Sequence, residues 1–168
     1  ILKEGSLVQY DTPDNILAHP KNRFVRDFVG ADRALKRLGL VRVHELMDPE
    51  LLPTVRMRDS TDTARRVIKE HGVRSAYVVD EDGVLMGWVD TDGIRQSPDS
   101  LLEAMMEADY HEIGVRKNNT AREALSAMVA RGFRITPVVD KNGQLLGRLP
   151  RKALQELADE GWSAEPEE

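Results

Sequence analysis

Basic side chains recur in this sequence at an interval of sixty positions, and their type is suited to binding phosphate. The repeated pairs are Arg56 with Arg116 and Arg74 with Arg134, and a further basic group is formed by Arg151 and Lys152. A guanidinium binds phosphate through two parallel hydrogen bonds, so paired arginines fit a ligand with two phosphate groups. The last basic group opens a predicted helix, where free amides and the helix dipole also favour an anion. The alternative is that these side chains are solvated or paired with acidic residues.

The residue types that common catalytic and metal sites require are missing or scattered. The chain has no cysteine, and its four histidines are too dispersed to form a ligand set. No G-x-x-x-x-G-K-[ST] segment is present to cradle the phosphates of ATP, and no G-x-S-x-G elbow supplies a serine nucleophile. We therefore expect that this chain is not an enzyme. His71 is expected to be a satisfied histidine in the core or at a helix end.

The composition is that of a globular protein with one domain or two small ones. Of 168 residues, 40% are hydrophobic and 32% are charged, with a formal net charge of -5. This charge gives no bulk attraction to nucleic acid or an anionic membrane. No apolar run reaches the roughly 18 residues of a membrane span. Because the sequence begins at Ile1, we interpret it as a piece of a longer polypeptide.

One short phrase occurs twice, as AYVVDEDGVLMG from residue 76 and TPVVDKNGQLLG from residue 136. Each copy has a β-branched apolar run, then a turn that ends in Asp-Gly or Asn-Gly, then a second apolar run. Such a pattern predicts a β-hairpin. Each phrase therefore predicts two antiparallel strands.

The repetition extends to the segments that flank the hairpins. Ser60 and Thr120 are predicted helix N-caps, the latter within a capping box with Glu123. Gly72 and Gly132 are expected to end these helices in a left-handed conformation. The apolar helix faces are predicted to be Ala64, Val67 and Ile68 in one copy, and Ala124, Leu125, Met128 and Val129 in the other. Pro98 and Pro150 are predicted to open further helices at their first position.

The unit is thus strand, helix, strand, turn, strand and helix, used twice, and it resembles a tandem pair of CBS domains over roughly residues 40 to 160. Leu46 and Met47, which enter the first unit, add to this resemblance. The resemblance implies an α+β fold in which two β-α-β-β-α units pack sheet to sheet. It also implies a homodimer formed through the CBS domains.

Many CBS pairs hold adenosine-type ligands in clefts between their sheets, and this resemblance sets the predicted binding residues. They are Val55, Arg56, Arg74, Ala76, Asp92, Val115, Arg134, Thr136, Leu149, Arg151 and Lys152. The family's ribose-binding aspartate would fall at Gly93 and Ala153, and neither is acidic. Asp92 is one position away and is the candidate substitute. Tyr110 is a candidate to stack on a base, with packing as the alternative.

The N-terminal stretch resembles the end of an ABC transporter ATP-binding subunit. Its features are a hairpin through Gly5 to Gln9, a helix that starts at Thr12 and Pro13, and an apolar stripe of Phe24, Val25, Phe28 and Val29. This stripe is expected to lack its usual cover. The order of segments resembles the glycine betaine, carnitine and choline importers. The expected domains are residues 1–33, 34–97, 98–160 and an acidic tail, 161–168.

Two functions follow from this resemblance. The module either senses an adenine nucleotide such as cyclic di-AMP and controls transport, or it is a dimerisation and ionic-strength-sensing scaffold without a ligand. No cofactor is expected to be required and no metal site is predicted. The expected partners are transporter membrane subunits rather than a nucleic acid, on the cytoplasmic side of the cell membrane.

Overall fold

The computed structural model describes the backbone of residues 1–50 and 52–163, and side-chain surroundings up to residue 159. The predicted acidic tail, 161–168, lies outside the residues whose side chains are described. The chain forms two compact units. Residues 1–46, 118–134 and 150–168 make what we call the helical unit, and residues 47–117 and 135–149 make the sheet unit. No helix in the described part of the chain is long and apolar enough to cross a bilayer.

The described elements are a short hairpin, four consecutive helices, and then strands interspersed with helices. In chain order they are β1 (Leu2–Lys3), β2 (Ser6–Leu7), α1 (Pro13–Ala18), α2 (Arg23–Val29), α3 (Arg33–Leu40), α4 (Val43–Leu46), β3 (Thr54–Arg56), α5 (Thr61–Glu70), β4 (Ser75–Val79), β5 (Leu85–Asp90), α6 (Thr91–Gln96), α7 (Leu101–Ala104), β6 (Met106–Glu107), α8 (Tyr110–Ile113), β7 (Val115–Arg116), α9 (Ala121–Arg131), β8 (Ile135–Val139), β9 (Leu145–Pro150) and α10 (Arg151–Ser163).

Two sheets carry the repeat. One has the strand order β3-β4-β5-β6 and the other has the order β7-β8-β9. In each sheet the first strand runs parallel to the second, with Val55 opposite Val78 and Val115 opposite Val138. The mixed α+β fold and the doubled strand-helix-strand-strand-helix unit are therefore confirmed.

The turns of the two hairpins pair with each other inside the sheet unit. The amide of Leu85 donates to the carbonyl of Gly143 at 3.0 Å, and the amide of Leu145 donates to the carbonyl of Gly83 at 3.1 Å. Each turn is also closed in the same way, because an oxygen of Asp80 or Asp140 accepts two backbone amides of its own turn. The repeated phrase therefore builds one continuous connection between the copies.

Both predicted helix starts and both predicted helix ends are confirmed. Ser60 accepts the amide of Thr63 at 3.1 Å, and Thr120 and Glu123 form a reciprocal capping box. Gly72 and Gly132, with φ of 61° and 71°, follow the helices in the left-handed region. His71 is a helix-end residue whose ring nitrogen lies 2.9 Å from the carbonyl of Val67.

The predicted roles of the two prolines are wrong. Pro98 lies in a turn, and α7 begins later, with Ser100 as its N-cap. Pro150 is the last residue of β9 rather than the first of α10. The helix of the first copy that corresponds to α10 is α6, which follows β5 directly. Because β5 and β9 run directly into α6 and α10, these helices begin at Thr91 and Arg151, which leaves Pro98 beyond the end of α6 and Pro150 one position before α10.

Two apolar residues differ from expectation, one in each direction. Val129 was predicted on the apolar face of its helix but is 64% exposed, whereas Ala124 and Met128 are buried as predicted. In the N-terminal stripe, Phe28 is 67% exposed, as expected of a stripe without its cover, but Val25 is fully buried. Neighbouring helices therefore cover only part of the α9 face, and they do cover part of the N-terminal stripe.

The sheet unit contains two apolar clusters. The larger one packs α5, α6 and α7 onto β3, β4 and β5; its members are Val55, Ala64, Ile68, Ala76, Val78, Val89, Ile94, Leu101 and Ala104. The smaller one joins residues of both copies, namely Leu85, Ile113 and Val139. Tyr77 packs against this second cluster, and burial raises the pKa of its phenol to about 12. Both copies thus share a core.

The helical unit is held by helices from distant parts of the sequence. α3 packs against α1, α9 and α10. The apolar interior of the helical unit includes Leu17, Ala18, Leu38, Ala121, Ala124, Met128 and Leu154. The amide of Val43 donates to the carbonyl of Asn119 at 2.9 Å, which ties the start of α4 to the start of α9. The second copy of the repeat therefore places its strands in the sheet unit and its helices in the helical unit.

Glycines that end the repeated phrases admit another backbone segment. A Cβ on Gly87 would lie 2.1 Å from the carbonyl oxygen of Met106, on the neighbouring β6. A Cβ on Gly147 would lie 2.4 Å from the carbonyl oxygen of Asp48, which forms an isolated bridge with Arg148. Each copy thus uses its glycine for the same purpose, which is close approach of an added strand.

We expect Gly87→Ala and Gly147→Ala each to lower the free energy of unfolding by about 2 to 4 kcal/mol, since backbone atoms must move to admit the new methyl group. Gly39→Ala is the matched control, because Gly39 lies in α3 with nothing near its Cβ position. It should stabilise the chain by roughly 0.5 to 1 kcal/mol. Urea unfolding followed by circular dichroism measures all three. Equal effects of the three substitutions would contradict the close approach.

We expect Thr120→Ala to cost about 1 kcal/mol of unfolding free energy through loss of the α9 cap.

The pKa of Glu123 is lowered, first by the backbone amide of Thr120 and then by the side chains of Asn119 and Thr120. A carboxyl whose pKa falls on folding stabilises the protein above its unfolded pKa, and this contribution is lost as the pH falls through the folded pKa.

Glu123→Gln should therefore destabilise the chain at pH 7 and have less effect at pH 3, again measured by urea unfolding. Ser126→Ala, at an exposed position of the same helix, is the control and should change little at either pH. An equal loss for Glu123→Gln at both pH values would show that the charge of Glu123 is not what holds the cap.

Candidate functional site

Four of the predicted binding residues are core residues of the sheet unit. Val55, Ala76, Val115 and Leu149 are each at most 5% exposed. Val55 and Ala76 belong to the same apolar cluster on neighbouring strands. Their side chains are committed to packing, so a ligand could contact only their backbone atoms.

Thr136 and Tyr110 also have structural partners. The hydroxyl of Thr136 is buried and donates to the carbonyl of Ile113 at 3.0 Å. The ring of Tyr110 packs so closely on Gly143 that a Cβ there would lie 2.5 Å from it. The alternative for Tyr110, packing rather than base stacking, therefore describes its place in this structure.

The arginines of the sheet unit differ in their surroundings. Arg56 lies at the end of β3, 3.8 Å from Glu81, which also pairs with Arg58 at 3.1 Å. At the matching position of the second copy, Arg116 lies 3.2 Å from a ring nitrogen of His111. Arg74 is exposed, just before β4. The repeated arginines are thus not equivalent, because the neighbours around them have diverged.

The first copy has no room for the ribose-binding acid. A Cβ on Gly93 would lie 2.2 Å from the carbonyl oxygen of Ala104, so a larger side chain is excluded there. Asp90 caps α6, and its carboxylate accepts the amides of Asp92 and Gly93 at 3.0 and 2.8 Å. Asp92 itself is paired with Arg95 at 3.0 Å. The candidate substitute acid therefore already has a cation.

The helical unit brings three of the predicted basic residues together at the first turn of α10. The amide of Arg151 donates to the carbonyl of Arg134 at 2.8 Å, so the two backbones touch. Lys152 follows and lies 3.4 Å from Glu156, one turn further on. Arg134 is exposed and Arg151 is half-buried. Arg134 and Arg151 are therefore backbone neighbours at the amide end of a 13-residue helix.

Ala153, the second position that lacks the expected acid, lies beside a cavity of about 420 Å3 in the helical unit. The other lining residues are Asp14, Arg37, Val41, Glu45, Leu46, Glu156 and Leu157. Three carboxylates thus reach this cavity from α1, α4 and α10 although position 153 has none. Sequence counting missed them because they come from elements far apart in the chain.

An ion pair within the sheet unit was also not predicted. Arg148 donates to Asp48 at 2.9 Å and also pairs with Glu50. The pKa of Asp48 is lowered, chiefly by the backbone amide of Glu50 and then by Arg148. The first copy has Trp88 at the position that corresponds to Arg148. This difference between the copies was the feature of the sequence from which the ion pair could have been predicted. This pair fastens the segment that enters the first repeat onto β9.

Among the residues that the structure describes, no group of three or more histidine, aspartate or glutamate side chains could hold a metal ion. The two sets of predicted residues fall in different units, with Arg134, Arg151 and Lys152 in the helical unit and the remainder in the sheet unit. Each unit therefore offers its own set of binding groups. Cations at a helix start suit phosphate, and carboxylates beside them suit hydroxyl groups.

Similar proteins account for nearly the whole chain. The carnitine transport ATP-binding protein OpuCA of Listeria monocytogenes is 32% identical over 96% of this chain and 41% of its own length. The glycine betaine/carnitine/choline transport ATP-binding protein OpuCA of Bacillus subtilis is 32% identical over 98% of this chain and 44% of its own length. The chain therefore spans about two fifths of these relatives.

The fold is shared with a solved structure, that of CBSX2 in complex with AMP. The TM-score is 0.58 at 23% identity, over 70% of this chain and 96% of that one. The CBS domain family matches residues 43–98 and 101–159, which together are more than half of the sequence. The chain belongs to the CBS domain family and carries two CBS domains in tandem.

Proposed function

We propose that this CBS pair is the regulatory part of an osmoprotectant importer's ATP-binding subunit. The observation that carries the proposal is the reach of the similarity to the transport proteins. It covers 96% of this chain, whereas the CBS matches begin only at residue 43. The residues before the CBS pair thus resemble the same relatives. In this proposal residues 1–33 end an ATPase domain, 34–97 and 98–160 are the CBS domains, and 161–168 form an acidic tail.

We further propose that the ligand is an adenine nucleotide, with cyclic di-AMP as the first candidate. A nucleotide phosphate would bind Arg134 and Arg151 at the start of α10, where the helix dipole adds to their charge. Lys152 is a weaker contributor, since it is already paired with Glu156. Ribose hydroxyls would donate to Glu45 or Glu156, which line the cavity beside Ala153. CBSX2, which has this fold, was solved with AMP.

The second candidate function is a scaffold that dimerises and responds to ionic strength without a ligand. Its support is that several predicted binding side chains are occupied, since Arg56 faces Glu81 and Asp92 faces Arg95. Exposed ion pairs weaken as salt shortens the Debye length to roughly 8 Å at physiological strength. In both proposals the module works as a homodimer with transporter membrane subunits, at the cytoplasmic face of the membrane.

Calorimetry with cyclic di-AMP, ATP and AMP tests the ligand proposal. We expect cyclic di-AMP to bind, and Arg134→Ala and Arg151→Ala each to weaken binding by roughly ten- to a hundredfold, since each removes a charge-assisted hydrogen bond. Arg66→Ala is the matched control, because Arg66 is an exposed arginine of α5 in the sheet unit, and it should bind as the unchanged chain does.

A flat trace for all three nucleotides, with dimers still seen by sedimentation, would contradict the sensor and favour the scaffold. Binding that survives Arg134→Ala and Arg151→Ala unchanged would contradict the assignment of the phosphate to α10. Binding should also weaken as salt is raised, since cations attract the phosphate.

A further inference from the structure

One arginine of the helical unit is buried although it carries a full charge. Arg37, in the last turn of α3, is 7% exposed. Its Nε donates to Asp14 at 2.8 Å and its Nη2 donates to the second oxygen of the same carboxylate at 3.4 Å. Its Nη1 donates to the backbone carbonyl of Leu157 at 2.9 Å. One guanidinium therefore bonds to α1 on one side and to α10 on the other.

Burying the guanidinium of Arg37 costs desolvation free energy, which its hydrogen bonds must offset; the Asp14 side chain is 39% exposed, so the ion pair is partly buried. The hydrogen bonds fix the position of α1 relative to α10. Both helices pack on α3, and the buried interior of this unit includes Leu17 of α1, Leu38 of α3 and Leu154 of α10. Apolar contacts tolerate sliding, whereas three directed hydrogen bonds from a rigid planar group do not. Arg37 is thus the directional element of this interface.

We propose that Arg37 is a positioning residue that transmits displacements of α10 to α1, and through α1 to the N-terminal segment. The proposal deepens the proposed function and rests on it in placing the ligand at the first turn of α10. Leu157 lies six residues after Arg151, which is about 9 Å along the helix. A helix moves as a rigid body over that distance. A shift of about 1 Å at its start would therefore pull the Leu157 carbonyl out of hydrogen-bond range of Arg37.

A displacement of α10 would reach α1 through the side chain of Asp14. It lies in the first turn of α1, after the cap formed by Thr12 and Pro13. The protected amides of this short helix include Ile16, which donates to Thr12, and His19, which donates to Asn15. Exchange at these amides reports whether α1 is held in place. The read-out does not require a ligand.

The experiment is a double-substitution cycle followed by hydrogen exchange in the whole chain, with no ligand added. Ala153→Gly loosens the start of α10, since glycine is a poor helix former. Asp14→Ala removes the carboxylate that Arg37 contacts on α1. We expect Ala153→Gly alone to raise exchange at Ile16 to His19 by about fivefold, and Asp14→Ala alone by roughly tenfold. In the double variant the rate should equal that of Asp14→Ala alone, because the contact between Arg37 and α1 is already lost.

Multiplied effects in the double variant would overturn the proposal, since they would show that packing rather than Arg37 carries the displacement. Exchange within α10 should rise with Ala153→Gly in both backgrounds, which verifies the perturbation. Arg65→Gln, which removes an exposed ion pair with Asp62 in the sheet unit, is the control and should leave the response of α1 intact. If Asp14→Ala does not fold, Arg37→Lys replaces it, because lysine lacks the planar fork that binds both partners. Failure of every nucleotide to bind would contradict the proposed ligand and leave this result standing.

Discussion

The sheet unit depends on the reciprocal hydrogen bonds between its two hairpin turns. The carbonyls of Gly83 and Gly143 each accept the amide of the leucine two residues after the other turn, so each turn is bonded to its counterpart. The second sheet has only three strands, which need a packed apolar face to be stable. Pairing the turns sets the register of both hairpins at once, and Leu85 and Val139 then meet in one cluster. The repeated phrase therefore connects the two copies within the sheet unit.

Close approach of backbone segments also explains why the first copy has no acid at the position of the family's ribose-binding aspartate. Gly87 and Gly147 accept added backbone segments, and Gly93 lies against the carbonyl of Ala104. A side chain at position 93 would displace that backbone, so close packing excludes an acid from the first copy. At position 153 the second copy has alanine, which lines a cavity together with Asp14 of α1, Glu45 of α4 and Glu156 of its own helix. The two copies thus differ in what surrounds the same position of the repeat.

Local chemistry made much of this fold predictable. Caps at Ser60 and Thr120 and turns that end in glycine depend on neighbours within four residues, and they were found from sequence. The proline roles and the exposure of Val129 were wrong, because each depends on which helix packs where. The contact from Arg37 to Asp14 and Leu157 could not be found, since it joins residues that are 23 and 120 positions apart. For the candidate site, the basic residues were visible as repeats, whereas the carboxylates beside Ala153 were not.

The division of the second repeat between the two units has a consequence for synthesis of the chain. Its strands complete the sheet unit, which closes only with the stretch 135–149, and its last helix completes the helical unit later still. Neither unit can finish folding while the nascent chain is shorter than that. Long-range closure of this kind slows folding and leaves apolar strand edges exposed in the meantime. The module is therefore expected to finish folding only once both repeats have been made, although the larger apolar cluster of the sheet unit, whose members lie between Val55 and Ala104, is available as soon as the first repeat is complete.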